Sequence, residues 1–420
     1  MSISLLSNTS RVETPFIIAT IGAYTFGMYN RKDVNIIGSN QSYIATHTTY
    51  PNYMKSLVIN KVNGTVNTYT LTMVYPITPG ADPNLFEKVF SSVGLGGTIK
   101  LSYGDLSAPS YIYKEEEAII TDVKSAFNIN ASTITYTISC TSKALNLAAG
   151  SLTFNKTRAK PSDLIKQILY DSTYGLLDIF YGMRDKERVF QENLIASDDK
   201  VVEIQAKKHV TLFEYLNYLA SCMTSISDGP RSIIKSSKYT FTVFDDTTGI
   251  WGGPYFKVTK VSNNIINTDS LTTYEIDIGA MSKDAIISFN IDDNQTYSIL
   301  YDYSNKIKQA NYVYRINDQG EVVSEYSPTI SSSGEQLKTT EADKSWWTKV
   351  TQYPVSATLV VKGLLRPAIL MSYIQLNILF YGRKHINSGA YIITKQTDQI
   401  DETGYRTTLK LTRVEEVNGN

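Results

Sequence analysis

Cysteine, histidine and any surplus of charge are what this sequence lacks. Two cysteines, Cys140 and Cys222, and three histidines, His47, His209 and His385, occur in 420 residues. Two thiols cannot build a disulfide framework or a cysteine-rich metal site. No two histidines stand at metal-ligand spacing, which leaves a zinc hydrolase unsupported. Lys+Arg and Asp+Glu balance at 40 each, withholding the basic field with which nucleic-acid binders displace counterions from phosphates. Long apolar runs are also missing. Phe16 to Phe26 is broken by Thr20, Gly22 and Thr25, and no Lys or Arg precedes Arg11, so the start of the chain resembles neither a signal peptide nor a membrane span. A reducing compartment during synthesis is the default, with both cysteines as buried free thiols.

What is present suits sheets. The length exceeds what one core organises, and 42% hydrophobic with 19% charged residues argues against disorder. The 30 tyrosines supply rigid area with a hydroxyl, useful both in strands and at interfaces. Tyr69, Leu71, Met73 and Tyr75 alternate with Thr68, Thr70 and Thr72; Tyr239, Phe241, Val243 and Tyr274, Ile276, Ile278 repeat the period-two pattern. Asn63-Gly64 marks a tight turn between strands at Leu57–Lys61 and Thr68–Tyr75.

Helical signals are few. Asp82-Pro83 reads as an N-cap with Pro at the first helical position, ahead of Leu85, Phe86, Val89, Phe90 and Val93 on one face. A second helix is expected from Ser162-Asp163, and Thr211 with Glu214 forms a capping box for a third. Breaks fall at Lys160-Pro161 and Asp228-Gly229-Pro230. The expected organisation is an N-terminal β domain over 1–157, a small helical domain over 158–230, a β-rich connecting domain over 231–282 and a second β domain over 283–420 with a polar arm at about 324–344.

The sequence also resembles itself. Ala118-Ile119-Ile120-Thr121 and Tyr391-Ile392-Ile393-Thr394 open two hairpins that overlie without a gap, setting Thr135 on Thr408, Tyr136 on Leu409 and Ile138 on Leu411. Upstream, Leu101-Ser102-Tyr103-Gly104 meets Leu379-Phe380-Tyr381-Gly382, Pro83 meets Pro367, and Thr70–Tyr75 meets Thr358–Lys362. One chain then carries two similar β domains, and three chains would present six in a ring, removing exposed strand edges.

Catalytic patterns fail one by one. No nucleophile elbow or P-loop occurs, and Gly94-Leu95-Gly96-Gly97 lacks the Lys and Ser/Thr that phosphate binding needs. Glu115-Glu116-Glu117 reads as a solvated loop and Asp292-Asp293 as a turn, neither giving the opposed carboxylates of a glycosidase. Asp245-Asp246-Thr247-Thr248-Gly249 resembles a hairpin loop more than a calcium loop. His209 fits a solvated or capping role. Trp346-Trp347 follows the polar arm, and as neighbours on a strand they face opposite sides, one available to a neighbouring subunit.

The closing pattern carries a family resemblance. Ser388-Gly389-Ala390-Tyr391-Ile392-Ile393, then Ile400-Asp401, then Gly404-Tyr405-Arg406-Thr407-Thr408-Leu409 and Leu411-Thr412-Arg413, resembles the end of bacteriophage tail hub (baseplate hub) proteins, a family similar to the N-terminal half of type VI secretion spike proteins. Asn67–Tyr75 with Asp82-Pro83-Asn84 looks like a tail-tube barrel. The resemblance implies a mainly β (α+β) fold of two tail-tube-like β-barrel domains with a small helical domain and an arm between them. It implies a structural, non-enzymatic homotrimer, without cofactor or metal, that closes the distal end of the tail tube and adapts six-fold to three-fold symmetry. The implied partners are the tail tube protein and spike, tape-measure or tail fibre proteins. DNA would pass through the ring unread, and no membrane insertion is implied; the setting is the virion tail, made in the host bacterial cytoplasm. A hexameric tube or ring subunit is the alternative, and a wall-degrading or glycan-binding tail protein the third reading. Candidate interface residues are Trp346, Trp347, Tyr391, Tyr405, Arg406 and Arg413.

Overall fold

Thr-rich alternation becomes extended backbone through most of the chain. The computed structural model describes residues 15–28, 48–50, 52–82, 84–105, 113–148, 150–176, 201–223, 238–245, 255–261, 264–265, 272–278, 286–293, 312–316, 322–326, 355–363, 370–385, 387–413 and 415–416. The first group of strands is β1 (Pro15–Ile21), β2 (Tyr24–Met28), β3 (Thr48–Tyr50), β4 (Met54–Val62), β5 (Thr68–Pro76), β6 (Thr98–Asp105), β7 (Tyr113–Asn128) and β8 (Thr133–Ser142), with helix α1 (Leu85–Val93) between β5 and β6. The middle holds β9 (Leu152–Phe154), β10 (Thr157–Ala159), helix α2 (Pro161–Tyr170), β11 (Val202–Ile204), β12 (Lys207–Val210), helix α3 (Leu212–Cys222), β13 (Lys238–Phe244) and β14 (Tyr255–Val261). After these come β15 (Asn264–Ile265), β16 (Thr272–Ile278), β17 (Ile286–Asp293), β18 (Tyr312–Ile316), β19 (Val322–Tyr326), β20 (Val355–Lys362), β21 (Tyr373–Phe380), β22 (Arg383–Lys384), β23 (Gly389–Asp401), β24 (Gly404–Arg413) and β25 (Glu415–Glu416).

Fifteen strands form one sheet whose main path runs β17-β20-β24-β23-β4-β5-β8-β7-β6-β1-β2-β3, with β21 on β23 and β16 on β21. The two halves therefore share one continuous, largely antiparallel sheet, in keeping with the mainly β fold expected. The period-two faces come out as read: Tyr69, Leu71, Met73 and Tyr75 are buried, as are Tyr239, Phe241 and Val243. Three apolar clusters result. One fills the first half and takes in Ile400 and Tyr405 from the far end of the chain. A second runs from Ala144 to Val258 and joins α2 and α3 to the β13–β14 pair. The third lies under β20, β21, β23 and β24.

The helices follow their local signals with one shift. Thr211 and Glu214 form both halves of the capping box, and Pro161 stands at the start of α2. For α1 the N-cap is Asn84 in place of Asp82. Asp82 instead accepts the Asn84 N–H at 3.0 Å and pairs with Lys88 at 2.6 Å, supporting the helix entry from two residues before the N-cap. The Asn63-Gly64 turn is present, with Gly64 at φ 87, a conformation that favours glycine. Asp292-Asp293, read as a turn, belongs to β17. Pro83, Pro367 and the arm beyond Tyr326 lie outside the described residues.

The sheet contains one five-strand unit twice. In chain order both units place their strands first, second, fifth, fourth, third: β4-β5-β8-β7-β6, and β17-β20-β24-β23-β21. The irregularities match too. β7 bulges at Thr121, between the pairs Ile120–Cys140 and Asp122–Ser139. β23 bulges at Thr394, between Ile393–Leu411 and Lys395–Lys410. Thr121 donates its hydroxyl to the Ser139 carbonyl at 3.0 Å, and Thr394 donates its own to the Lys410 carbonyl at 3.3 Å. A second bulge falls at Lys55 in β4 and at Ile287 in β17. Bulges disrupt pairing and persist for a reason, so two at matched places identify a repeated unit where alternation alone could not.

These registers keep Ala118–Thr121 on Tyr391–Thr394 and Thr70 on Thr358, and they correct the rest. Val123 pairs with Ile138 and Gln396 with Leu409, so Ile138 corresponds to Leu409 and the gapless match to Leu411 fails. The cause is the turn at 129–132, two residues longer than the one at 402–403. Likewise Ile99 pairs with Ala118 and Ile374 with Tyr391, making Leu376 the counterpart of Leu101. Tyr381-Gly382 is no counterpart of Tyr103-Gly104: Tyr103 is buried, whereas Tyr381 turns the chain at φ 47 and is 82% exposed.

Candidate functional site

β23 serves two units at once. Gly389–Ile392 pairs with β21 of its own unit. Beyond the Thr394 bulge the strand leaves β21 and runs antiparallel to β4 of the other unit, from Lys395 opposite Val62 to Asp401 opposite Ser56. A bulge bends its strand and increases the local twist, which is the change of direction this transfer requires. The hairpin tip then enters the first core, where Ile400 is fully buried and the Tyr405 ring meets Tyr103 edge-on at 6.3 Å. Gly363 supports it: its N–H donates to the Tyr405 carbonyl at 2.7 Å, and a Cβ there would lie 2.2 Å from Tyr405 Cγ. Only glycine permits that approach.

Charge is buried where the units and the middle segment converge. Lys61 of β4 and Glu116 of β7 form an ion pair with both side chains almost wholly enclosed. Tyr69 and Tyr103 donate their hydroxyls to Glu116 at 2.7 and 2.9 Å. Asp245, following β13, accepts from Asn67 Nδ2 and Ser142 Oγ, each at 2.5 Å. Asp398 of β23 accepts from Thr407 at 2.6 Å, Gln396 at 2.6 Å and Tyr405 at 3.3 Å. Burial works against the Lys61 charge, but Glu116, Asp398 and Asp245 together outweigh it and hold the ammonium well above the usual lysine range. Burial pushes the Asp245 carboxyl up to about 6, with Glu116 adding to the shift and Ser142, Lys61 and Asn67 opposing it. The Tyr69, Tyr103 and Tyr405 phenols are raised by burial and then by the nearby carboxylates, so they remain donors.

This cluster occupies the place of the triple glutamate read as a solvated loop. The run lies in β7, Glu116 is 1% exposed, and Glu117 pairs with Lys143 and Lys100. The signal was parity: Glu116 shares a strand face with Ala118 and Ile120, and Lys61 shares one with Leu57 and Ile59. Asp245 is likewise 1% exposed at the end of its strand, and the rest of that expected loop lies outside the described residues.

The candidate interface residues separate. Tyr391 is fully buried in the third core, its hydroxyl donating to the Asn387 carbonyl at 2.7 Å, and Tyr405 is buried in the first. A side chain enclosed in its own chain has no surface to offer another subunit, so both tyrosines act within the fold. Arg406 is exposed beside Thr403, and Arg413 is half-buried, reaching the Ser388 carbonyl. Trp346 and Trp347 lie outside the described residues. Cys140 and Cys222 are buried free thiols, and burial pushes Cys140 up to about 12. His209 is exposed, with Nδ1 at 3.1 Å from the Ser151 hydroxyl. Among the described residues no group of three or more His, Cys, Asp or Glu could hold a metal, and no helix is long and apolar enough to cross a membrane.

No protein-family profile matches the sequence, and no curated protein matches it significantly. Solved structures do resemble it. A 43 kDa tail protein of prophage MuSo2 from Shewanella oneidensis is 11% identical with a TM-score of 0.48, covering 94% of this chain and 96% of that one. The tail protein from Neisseria meningitidis MC58 is 9% identical with a TM-score of 0.49, covering 95% and 96%. The E. coli c3393 protein, a component of the type VI secretion system, is 9% identical with a TM-score of 0.42, covering 86% and 74%.

Two outcomes are expected from the buried cluster. Glu116→Gln removes the carboxylate paired with the enclosed Lys61 and should cost about 3–5 kcal/mol in urea unfolding, and Lys61→Met with Glu116→Leu should not recover it in full, because the Tyr69 and Tyr103 hydroxyls lose their acceptor. Asp245 titrates higher in the fold than at its ordinary 3.8, so the folded chain holds the extra proton. Its contribution is full below about 3.8 and lost as pH rises through about 6. Relative to Asp245→Asn, the natural protein should lose about 2–3 kcal/mol between pH 4 and 7; parallel pH profiles of the two would count against this.

Proposed function

We propose that this chain is a structural phage tail hub that assembles as a homotrimeric ring at the distal end of the tail tube. The observation that carries the reading is the duplicated five-strand unit, matched in strand order, register and both bulges. Two similar units in one chain turn a trimer into a ring of six similar units, which presents pseudo-six-fold symmetry to a tube and three-fold symmetry to the components beyond the ring. In this reading the units fall in the segments 1–157 and 283–420, with the small helical segment between them in sequence. The tube protein meets one face, and spike, tape-measure or fibre proteins meet the other. DNA crosses the ring without being read, in keeping with a formal net charge of +0.

A hexameric tube subunit would need only one unit per chain, so the duplication favours the trimer. A wall-degrading role loses its motivation, because Glu116 is committed to Lys61, Tyr69 and Tyr103 and is buried in the core. Multi-angle light scattering of the purified protein should give a mass three times the 47.0 kDa of one chain; six-fold particles would support the tube-subunit reading instead.

A further inference from the structure

The repeat leaves one junction made inside the chain and the parts of a second one unused. Inside the chain, the far half of β23 pairs with β4. The matched bulges make Asp122–Asn128 of β7 the counterpart of Lys395–Asp401, and β17 the counterpart of β4. Among the described residues, Asp122–Asn128 pairs only with β8, and β17 only with β20. Among these residues each therefore has one backbone edge without a strand partner, a feature that proteins cover or block.

The side chains along these edges are those of an incomplete core. Ile400 is fully buried, whereas its counterpart Phe127 is 70% exposed, and Ile129 beyond it is 90% exposed. On β4, Leu57 and Ile59 are fully buried; their counterparts Phe289 and Ile291 on β17 are only partly covered at the margin of the third core, and Ile287 is 48% exposed. One edge offers an aromatic side chain that is mostly exposed, and the other offers an apolar margin of the kind that covers Ile400 within the chain.

We infer that β7 of one copy pairs antiparallel with β17 of a second copy of this chain, in the register of the internal junction. Transferring that register sets Asn128 opposite Ser288, Phe127 opposite Phe289, Ala126 opposite Asn290 and Lys124 opposite Asp292, the last two of opposite charge. The contact is heterologous, since one edge meets a different edge, so it propagates around a ring and closes when the rotation per unit allows. It rests on the ring reading above and adds which surfaces meet. The new junction also differs in chemistry from the internal one. Val123 and Ser125 stand where Gln396 and Asp398 stand, so the buried charge that ties the two units within a chain has no equivalent between chains. Backbone pairing and a few apolar side chains carry it, as in strand addition to a sheet edge.

Phe127→Asp tests this, because Phe127 is exposed in the single chain and its loss should leave the fold intact. The variant should keep the natural protein's circular dichroism and urea midpoint while its trimer dissociates at concentrations at least about ten-fold higher. In parallel, Ala126→Cys combined with Asn290→Cys should form covalently linked trimers under mild oxidation. Lys124→Cys with Asn290→Cys, two positions out of register, should not. A natural trimer that Phe127→Asp leaves intact and that fails to cross-link at Ala126–Asn290 overturns this junction while leaving the ring reading standing. A natural protein that is monomeric at every concentration overturns both.

Discussion

The seven backbone pairs from Lys395–Val62 to Asp401–Ser56 join two copies of one unit into a single sheet, and the rest of the architecture depends on them. They exist because β23 bulges at Thr394, which ends its pairing with β21 and redirects it to β4. The hairpin at the end of β23 brings Ile400 and Tyr405 into a core otherwise built from the first half of the chain. A contact spanning more than 300 residues is thereby secured both by strand pairing and by burial. Its topology is strongly non-local, which favours slow folding in which the first unit waits for the last hairpin.

Buried charge at this junction argues for specificity more than for strength. An enclosed Lys61–Glu116 pair contributes little net stability over an apolar pair of the same size, but it excludes slipped registers. A two-residue slip of β23 on β4 would carry Asp398 away from the neighbourhood of Lys61, leaving buried charge unmatched. Asp245 extends the constraint to the middle segment through Asn67 and Ser142. The internal junction is thus held in one register by charge, whereas the edges at β7 and β17 carry apolar side chains and no such cluster.

Period-two alternation made the strands and their buried faces legible, and the capping box at Thr211 and Glu214 located α3. The repeat was legible in Ala118–Thr121 and Tyr391–Thr394, where closely similar short runs lead into the bulge. It was misaligned elsewhere because a bulge and a turn differing by two residues leave no mark in composition, and because Leu-x-Tyr/Phe patterns satisfy several registers equally. Glu116 was missed for a different reason. A run of three glutamates looks solvated when read as a run, and only its strand parity with Ala118 and Ile120 places the middle one inside. That β23 leaves its own unit was not legible at all, since strand partners distant in sequence are set by tertiary packing.

If one junction occurs twice, once within a chain and once between chains, a cryo-EM map of the assembled particle at side-chain resolution will show both. The expected map is a three-fold ring in which Val123–Asn128 of each subunit runs antiparallel to Ser288–Asp293 of the next, with the same geometry as Gln396–Asp401 on β4. A ring whose subunits meet through other surfaces, with both edges facing solvent, would contradict this.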